Sequence, residues 1–128
     1  MNEYIYDYLS SLRDLVNAYE KLIDKLKYVK NASNSDPEKV DRIIPEIKGI
    51  LEKTTILLSK YEDVIAINSD IDENTQQYLK TYYKYLKLVS IPYTYDLLNE
   101  LKQVLIKHNY FKKAIKLDTL IKTLSQLT

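Results

Sequence analysis

Apolar residues at alternating steps of three and four run without a miss through Ile5, Tyr8, Leu12, Leu15, Tyr19, Leu22, Leu26 and Val29, and nothing else in the chain constrains its fold as strongly. That spacing follows the turn of an α-helix, so it predicts one long helix with a single oily edge. Leu9, Val16 and Ile23 widen the edge into the stripe of a bundle helix rather than the seam of a two-stranded coiled coil. Arg13, Asn17, Glu20, Asp24 and Lys27 make the opposite face polar.

The same register returns at Val40, Ile43, Ile47, Ile50, Thr54, Leu57, Tyr61 and Val64, flanked by Ile44, Leu51, Leu58 and Ile65. Two long stripes joined by the short polar segment 31–36 predict antiparallel packing. Ser35 with Glu38 reads as a capping box, and Pro37 falls in the first turn of the second helix. Pro45 predicts a kink or a break in that helix, and Gly49 should weaken it by roughly 1 kcal/mol relative to alanine.

Residues 68–74 form a second polar connection, ending in Asn74 as the expected cap with Gln77 three positions on. A third helix should bury Tyr78, Leu79, Tyr82, Tyr85, Leu86 and Val89, and Pro92 should separate it from a fourth carrying Leu97, Leu98, Leu101, Val104, Leu105 and His108. His108 and Asn109 interrupt the pattern before a fifth stripe of Tyr110, Ala114, Leu117, Leu120, Ile121, Leu124 and Leu127; one continuous helix from Thr94 to Leu127 is the alternative. The expectation is an all-α, single-domain bundle of four to five helices spanning 1–128, the first two long and antiparallel. The helices should cover about 3–30, 36–67, 74–90, 94–108 and 110–127.

Composition supports this. One glycine and three prolines leave little of the turn chemistry that hairpins require, and 45% apolar with 29% charged residues is globular composition. A chain of 128 residues can enclose a core without metal or disulfide staples. With no cysteine, disulfides, thiolate nucleophiles and thiolate-bound metals are excluded, and a reducing, cytoplasmic setting fits best. The longest aliphatic runs, such as Val64 to Ile67, hold four residues, so no membrane span or secretory signal is expected. Seventeen lysines against two arginines, with abundant Ile, Asn and Tyr, point to an AT-rich coding source.

Catalytic and cofactor chemistry finds no foothold. A lone Gly49 rules out a glycine-rich phosphate loop, and His108 is the only histidine, in register with the apolar side of its helix. Lys102, Gln103 and Val104 stand where helical ribonucleases that pair arginine with histidine would need the arginine. Asp70, Asp72 and Asn74 have the alternate spacing that opens a calcium loop, but Thr75 replaces its glycine and Thr81 its bidentate acid, so capping is the better reading. Asn109-Tyr110-Phe111-Lys112-Lys113-Ala114-Ile115, with Leu101 and Leu105 upstream, resembles one helix-turn-helix unit of the tetratricopeptide repeat. Asp118 replaces that repeat's aromatic and no copy follows at the repeat interval, so the segment reads as an ordinary helical hairpin. No catalytic residue, metal or cofactor is therefore expected.

Charge is the suggestive feature. Residues 1–75 carry 10 basic and 15 acidic side chains, whereas residues 76–128 carry 9 basic and 3 acidic. Between Gln76 and Tyr95 no acidic residue occurs, and Lys80, Lys84 and Lys87 line one helical face beside Tyr83, with Lys112, Lys113 and Lys116 extending the positive charge. The leading expectation is a non-catalytic protein–protein interaction module, an adaptor, inhibitor or small subunit, with the Lys80, Lys84 and Lys87 face as its recognition surface. A nucleic-acid-binding subunit of a ribonucleoprotein or DNA-processing assembly is the alternative, because lysines neutralise phosphates and tyrosines stack on bases. Self-association, the acidic half of one copy on the basic half of the next, is the third reading.

Overall fold

The uninterrupted oily edge of the first segment folds into α1 (Glu3–Ala32), which buries Ile5, Tyr8, Leu12, Leu15, Val16, Tyr19, Leu22, Leu26 and Val29. The structure, a computed structural model, describes residues 3–67 and 71–128, and every regular element among these is helical. At roughly 1.5–3 kcal/mol for each large apolar side chain removed from water, this edge is the chief anchor of the bundle.

The second stripe forms α2 (Glu38–Ile67), which buries Val40, Ile43, Ile44, Ile47, Ile50, Leu51, Thr54 and Val64. Contacts between the two run in opposite chain order: Tyr8 donates to the Leu57 carbonyl, Tyr19 meets Thr54, and Lys25 meets Glu46. The helix passes unbroken through Pro45. The ring sits on the exposed side, so one backbone bond is lost while the buried Ile44 and Ile47 beside it hold the helix to the core. The capping box expected from Ser35 does not form. The Ser35 hydroxyl instead donates to the Ala32 carbonyl at 3.0 Å, which also accepts from the Ser35 and Asp36 backbone N–H groups at the end of α1.

Correction is also needed at the start of α3 (Glu73–Tyr85). Its cap is Asp72 rather than Asn74, with the Asp72 carboxylate accepting from the Thr75 backbone N–H at 2.7 Å and from the Thr75 hydroxyl at 3.0 Å. These bonds hold the Asp72 carboxyl below its ordinary value. Asp70, the first member of the calcium-like spacing, lies outside the described residues.

Pro92 does not separate two helices. The rod continues from α3 through a single π-helical turn, Leu86–Ser90, into α4 (Ile91–Lys107). In that turn the Ile91 N–H reaches back five residues to the Leu86 carbonyl. The wider turn takes up the strain that Pro92, with no donor and a bulky ring, would impose on a regular helix. The break falls later. His108, Asn109 and Tyr110 end α4 before α5 (Phe111–Leu127), which decides against one helix from Thr94 to Leu127. Asn109 takes the left-handed conformation, φ 67°, while the Asn109 N–H bonds the Ile106 carbonyl at 3.0 Å and the Tyr110 N–H bonds the Leu105 carbonyl at 2.8 Å. This is a Schellman ending, with asparagine where glycine is commonest.

α1 packs on α2 and α4, and α5 closes the square by packing on α2 and α4. Lys102 pairs with Asp118 and Lys87 reaches the Leu127 carbonyl, so α5 runs back along α4 and stops where the π turn begins. Beyond that level α3 packs chiefly on α1 and α2 among the described residues. The bundle therefore holds four rods at one end and three at the other. This explains part of the misassigned stripe of the third helix: Leu79 and Leu86 are buried and Tyr82 half-buried, but Tyr78 is exposed at the three-rod end, and Tyr85 and Val89 are exposed at the π turn. Of the thirteen tyrosines only Tyr8 and Tyr19 are fully buried, fewer than the stripe pattern suggests.

Candidate interaction surface

The π turn and Pro92 together shape an exposed apolar surface. An extra residue in a helical turn rotates everything after it by about 100°, and the side chains beside the turn are redirected. Leu88 is 73% exposed, Tyr93 41% and Val89 40%, with Tyr85 exposed alongside. Leu88, Val89, Pro92 and Tyr93 line a cleft of about 700 Å³ between α4 and the C-terminal half of α1.

The banks of this cleft are charged with opposite signs. α1 contributes Lys27 and Lys30, and α4 contributes Asp96 and Glu100. Lys30 bonds Glu100 at 3.0 Å across the cleft, and the Lys27 ammonium lies 5.1 Å from the centre of the Tyr93 ring. Tyr93 holds the Lys27 ammonium above its ordinary value. Both contacts join α1 to α4 across the cleft, whose lining includes the buried Leu97. An apolar floor with a polar rim is the anatomy of a protein-binding patch, and single-turn π bulges recur at functional positions.

The lysines singled out from the sequence fall into two separate groups. Lys80 and Lys84 are exposed and lead, one helical turn at a time, into Leu88. Lys87 is occupied, donating to the Leu127 carbonyl at 2.9 Å. Tyr83 is half-buried and stacked on Tyr61, ring centres 3.8 Å apart at 9°, so one face of its ring is covered. At the far end of α5, about 20 Å away by the helical rise, Lys112 is exposed, whereas Lys113 and Lys116 both reach Asp41 and Lys113 also reaches Glu38 at 3.4 Å. Lys113 and Lys116 hold the Asp41 carboxyl below its ordinary value. Part of the positive half thus answers the negative half within the same chain.

Sequence reasoning missed Leu88, Val89 and Tyr93 as surface residues. Pro92 inside an otherwise unbroken helical pattern was the signal, since absorbing it requires an irregular turn. His108 is half-buried at the end of α4, where its backbone N–H bonds the Val104 carbonyl at 3.2 Å. In the α4–α5 hairpin Leu101, Leu105 and Ala114 are all buried. No helix among the described residues is long and apolar enough to cross a membrane.

No known protein family, curated protein or solved structure matches this chain. An all-helical bundle with an apolar, charge-banked cleft is what the fold and the surface define.

Proposed function

We propose that this chain is a non-catalytic helical protein-interaction module, an adaptor, inhibitor or small subunit of a complex, working in the cytoplasm. The observation that carries the reading is the exposed apolar strip of Tyr85, Leu88, Val89 and Tyr93 at the π turn, continuous with the cleft between α1 and α4. Apolar side chains held out by rigid helices gain from being covered, at roughly 25 cal/mol per Å² of area removed from water. Lys80 and Lys84 stand at the entrance to the strip, which favours a partner whose apolar contact is flanked by acidic residues.

The nucleic-acid alternative has less support. Lys87, Lys113 and Lys116 each engage an acceptor inside the chain, and Tyr61 covers one face of the Tyr83 ring. Lys80, Lys84 and Lys112 are the exposed lysines of that footprint that the chain itself leaves free of such contacts among the described residues. The readings separate in one experiment: affinity capture from the source cell, with and without nuclease, using the wild-type chain and Leu88→Asp. A protein retained after nuclease and lost with Leu88→Asp is the expected result. Capture abolished by nuclease alone would transfer the function to nucleic acid.

A further inference from the structure

On the opposite side of α1 from the cleft, the seam between α1 and α2 is concave along two adjoining hollows that share Asp14, Ala18 and Lys53. The hollows owe their depth to what is absent from the side chains. Ala18 and Gly49 face each other across the seam, and a Cβ added at Gly49 would meet nothing within 4 Å. The fold itself therefore gives no reason for the chain's one glycine to stand in the middle of a helix, where it weakens the helix relative to alanine. Leu15 and Ile50 form the floor, and Ile56, 53% exposed, stands at one edge.

Around this floor the charges alternate. On α1, Asp14 is followed two turns later by Lys21; on α2, Glu46 is followed two turns later by Lys53. Each pair is separated by about 10 Å along its helix. Because α1 and α2 run in opposite directions, Asp14 and Lys53 fall toward one end of the seam and Lys21 and Glu46 toward the other. Positive and negative therefore alternate both across the seam and along it. Such a checkerboard is self-complementary: rotating a second copy by a half-turn about an axis in the plane of the face sets each charge against its opposite. Within the chain the four are weakly engaged. Among the described residues Asp14 pairs with Arg13, its sequence neighbour, at 3.9 Å, and Glu46 with the exposed Lys25 at 2.9 Å.

We infer that the α1–α2 face is a two-fold self-association surface, on which a second copy of this chain seats its own α1–α2 face with Gly49 and Ala18 at the centre. The shallow middle lets the two helix pairs approach closely, and the ring of alternating charge fixes their register. Since this face and the π-turn cleft use opposite sides of α1, a dimer leaves both clefts open.

The test is sedimentation equilibrium of the purified full chain from micromolar to millimolar concentration at low salt, comparing wild type, Gly49→Arg and Asp14→Lys. All substituted positions lie at the surface, and circular dichroism verifies that the variants fold. Wild type should reach the mass of a dimer, and each variant should weaken association at least tenfold. Adding Lys53→Asp to Asp14→Lys should restore association if α1 lies against α2 of the other copy; adding Lys21→Asp should restore it if α1 lies against α1. A wild-type chain that stays monomeric at millimolar concentration overturns the inference. So does a dimer indifferent to Gly49→Arg and Asp14→Lys, or one lost with Asp14→Lys that neither second substitution restores.

Discussion

The Tyr19 hydroxyl meets the Thr54 hydroxyl at 2.7 Å inside the seam between α1 and α2, and Thr54 in turn donates to the Ile50 carbonyl at 2.6 Å. Both side chains are fully buried. The pair explains why a threonine interrupts the oily stripe of α2: it satisfies the one polar atom that a buried tyrosine brings into the core.

Thr54→Val keeps the shape and removes the partner, leaving a buried phenol unsatisfied. The expected loss is about 1–3 kcal/mol of unfolding free energy. Tyr19→Phe combined with Thr54→Val should recover most of it, since neither polar group is then stranded. Urea unfolding of the three proteins measures both effects, and equal losses in the single and double variants would show that Tyr19 does not depend on Thr54.

The buried phenols also set an alkaline limit. Burial pushes the Tyr19 hydroxyl up to about 12 from an ordinary 10.0, against the opposing effect of the Thr54 bond. Tyr8 is raised as well, by burial first and then by Tyr61, Tyr4 and Tyr83. A phenol with a raised folded-state value keeps its proton where the unfolded chain has released it, so the unfolded state binds fewer protons. Stability from Tyr19 is therefore whole below about pH 10 and falls as the pH climbs towards 12. Thermal midpoints should drop across that window as tyrosinate absorbance rises, and Tyr8→Phe should make the drop shallower.

Asn109 holds the left-handed position between α4 and α5 at φ 67°. Asn109→Ala keeps the Cβ but loses the short polar side chain that lets asparagine tolerate the left-handed region and should cost about 1 kcal/mol, whereas Asn109→Gly should be neutral or slightly stabilising. Chemical denaturation of the two variants gives the order directly, and alanine equal to glycine would contradict it.

Ser90 ends the π turn with a buried hydroxyl that has no hydrogen-bond partner among the described residues. Ser90→Ala removes that stranded group and should raise stability by about 1 kcal/mol. A clear loss on this substitution, read from the thermal midpoint, would mean the hydroxyl does have a partner.

Much of this fold is legible in the sequence where a stripe is long and its neighbours are few. The α1 edge predicts its own burial, because every step of three or four lands on the same side of one helix. Pro92 misleads because a proline's effect depends on whether the helix can widen locally, and a five-residue reach from Ile91 to Leu86 cannot be read from spacing. Tyr78 looks buried in the pattern and is exposed in the fold, since its cover depends on where α5 ends, beside Lys87, whereas Val89 is exposed within the π turn itself. The lysine groups look continuous in sequence for a similar reason. The Asp41 that occupies Lys113 and Lys116 lies more than seventy residues upstream, and its position follows only from helix packing.

Capture of a protein by the apolar strip at the π turn is tested by quantitative capture, after nuclease treatment, with the pair Leu88→Asp and Tyr93→Ala beside the pair Lys80→Glu and Lys84→Glu. The first pair should reduce capture at least tenfold, about 1.4 kcal/mol, with an unchanged helical spectrum. The lysine pair should chiefly slow association and remove its salt dependence. Undiminished capture by the Leu88→Asp and Tyr93→Ala protein would contradict the account.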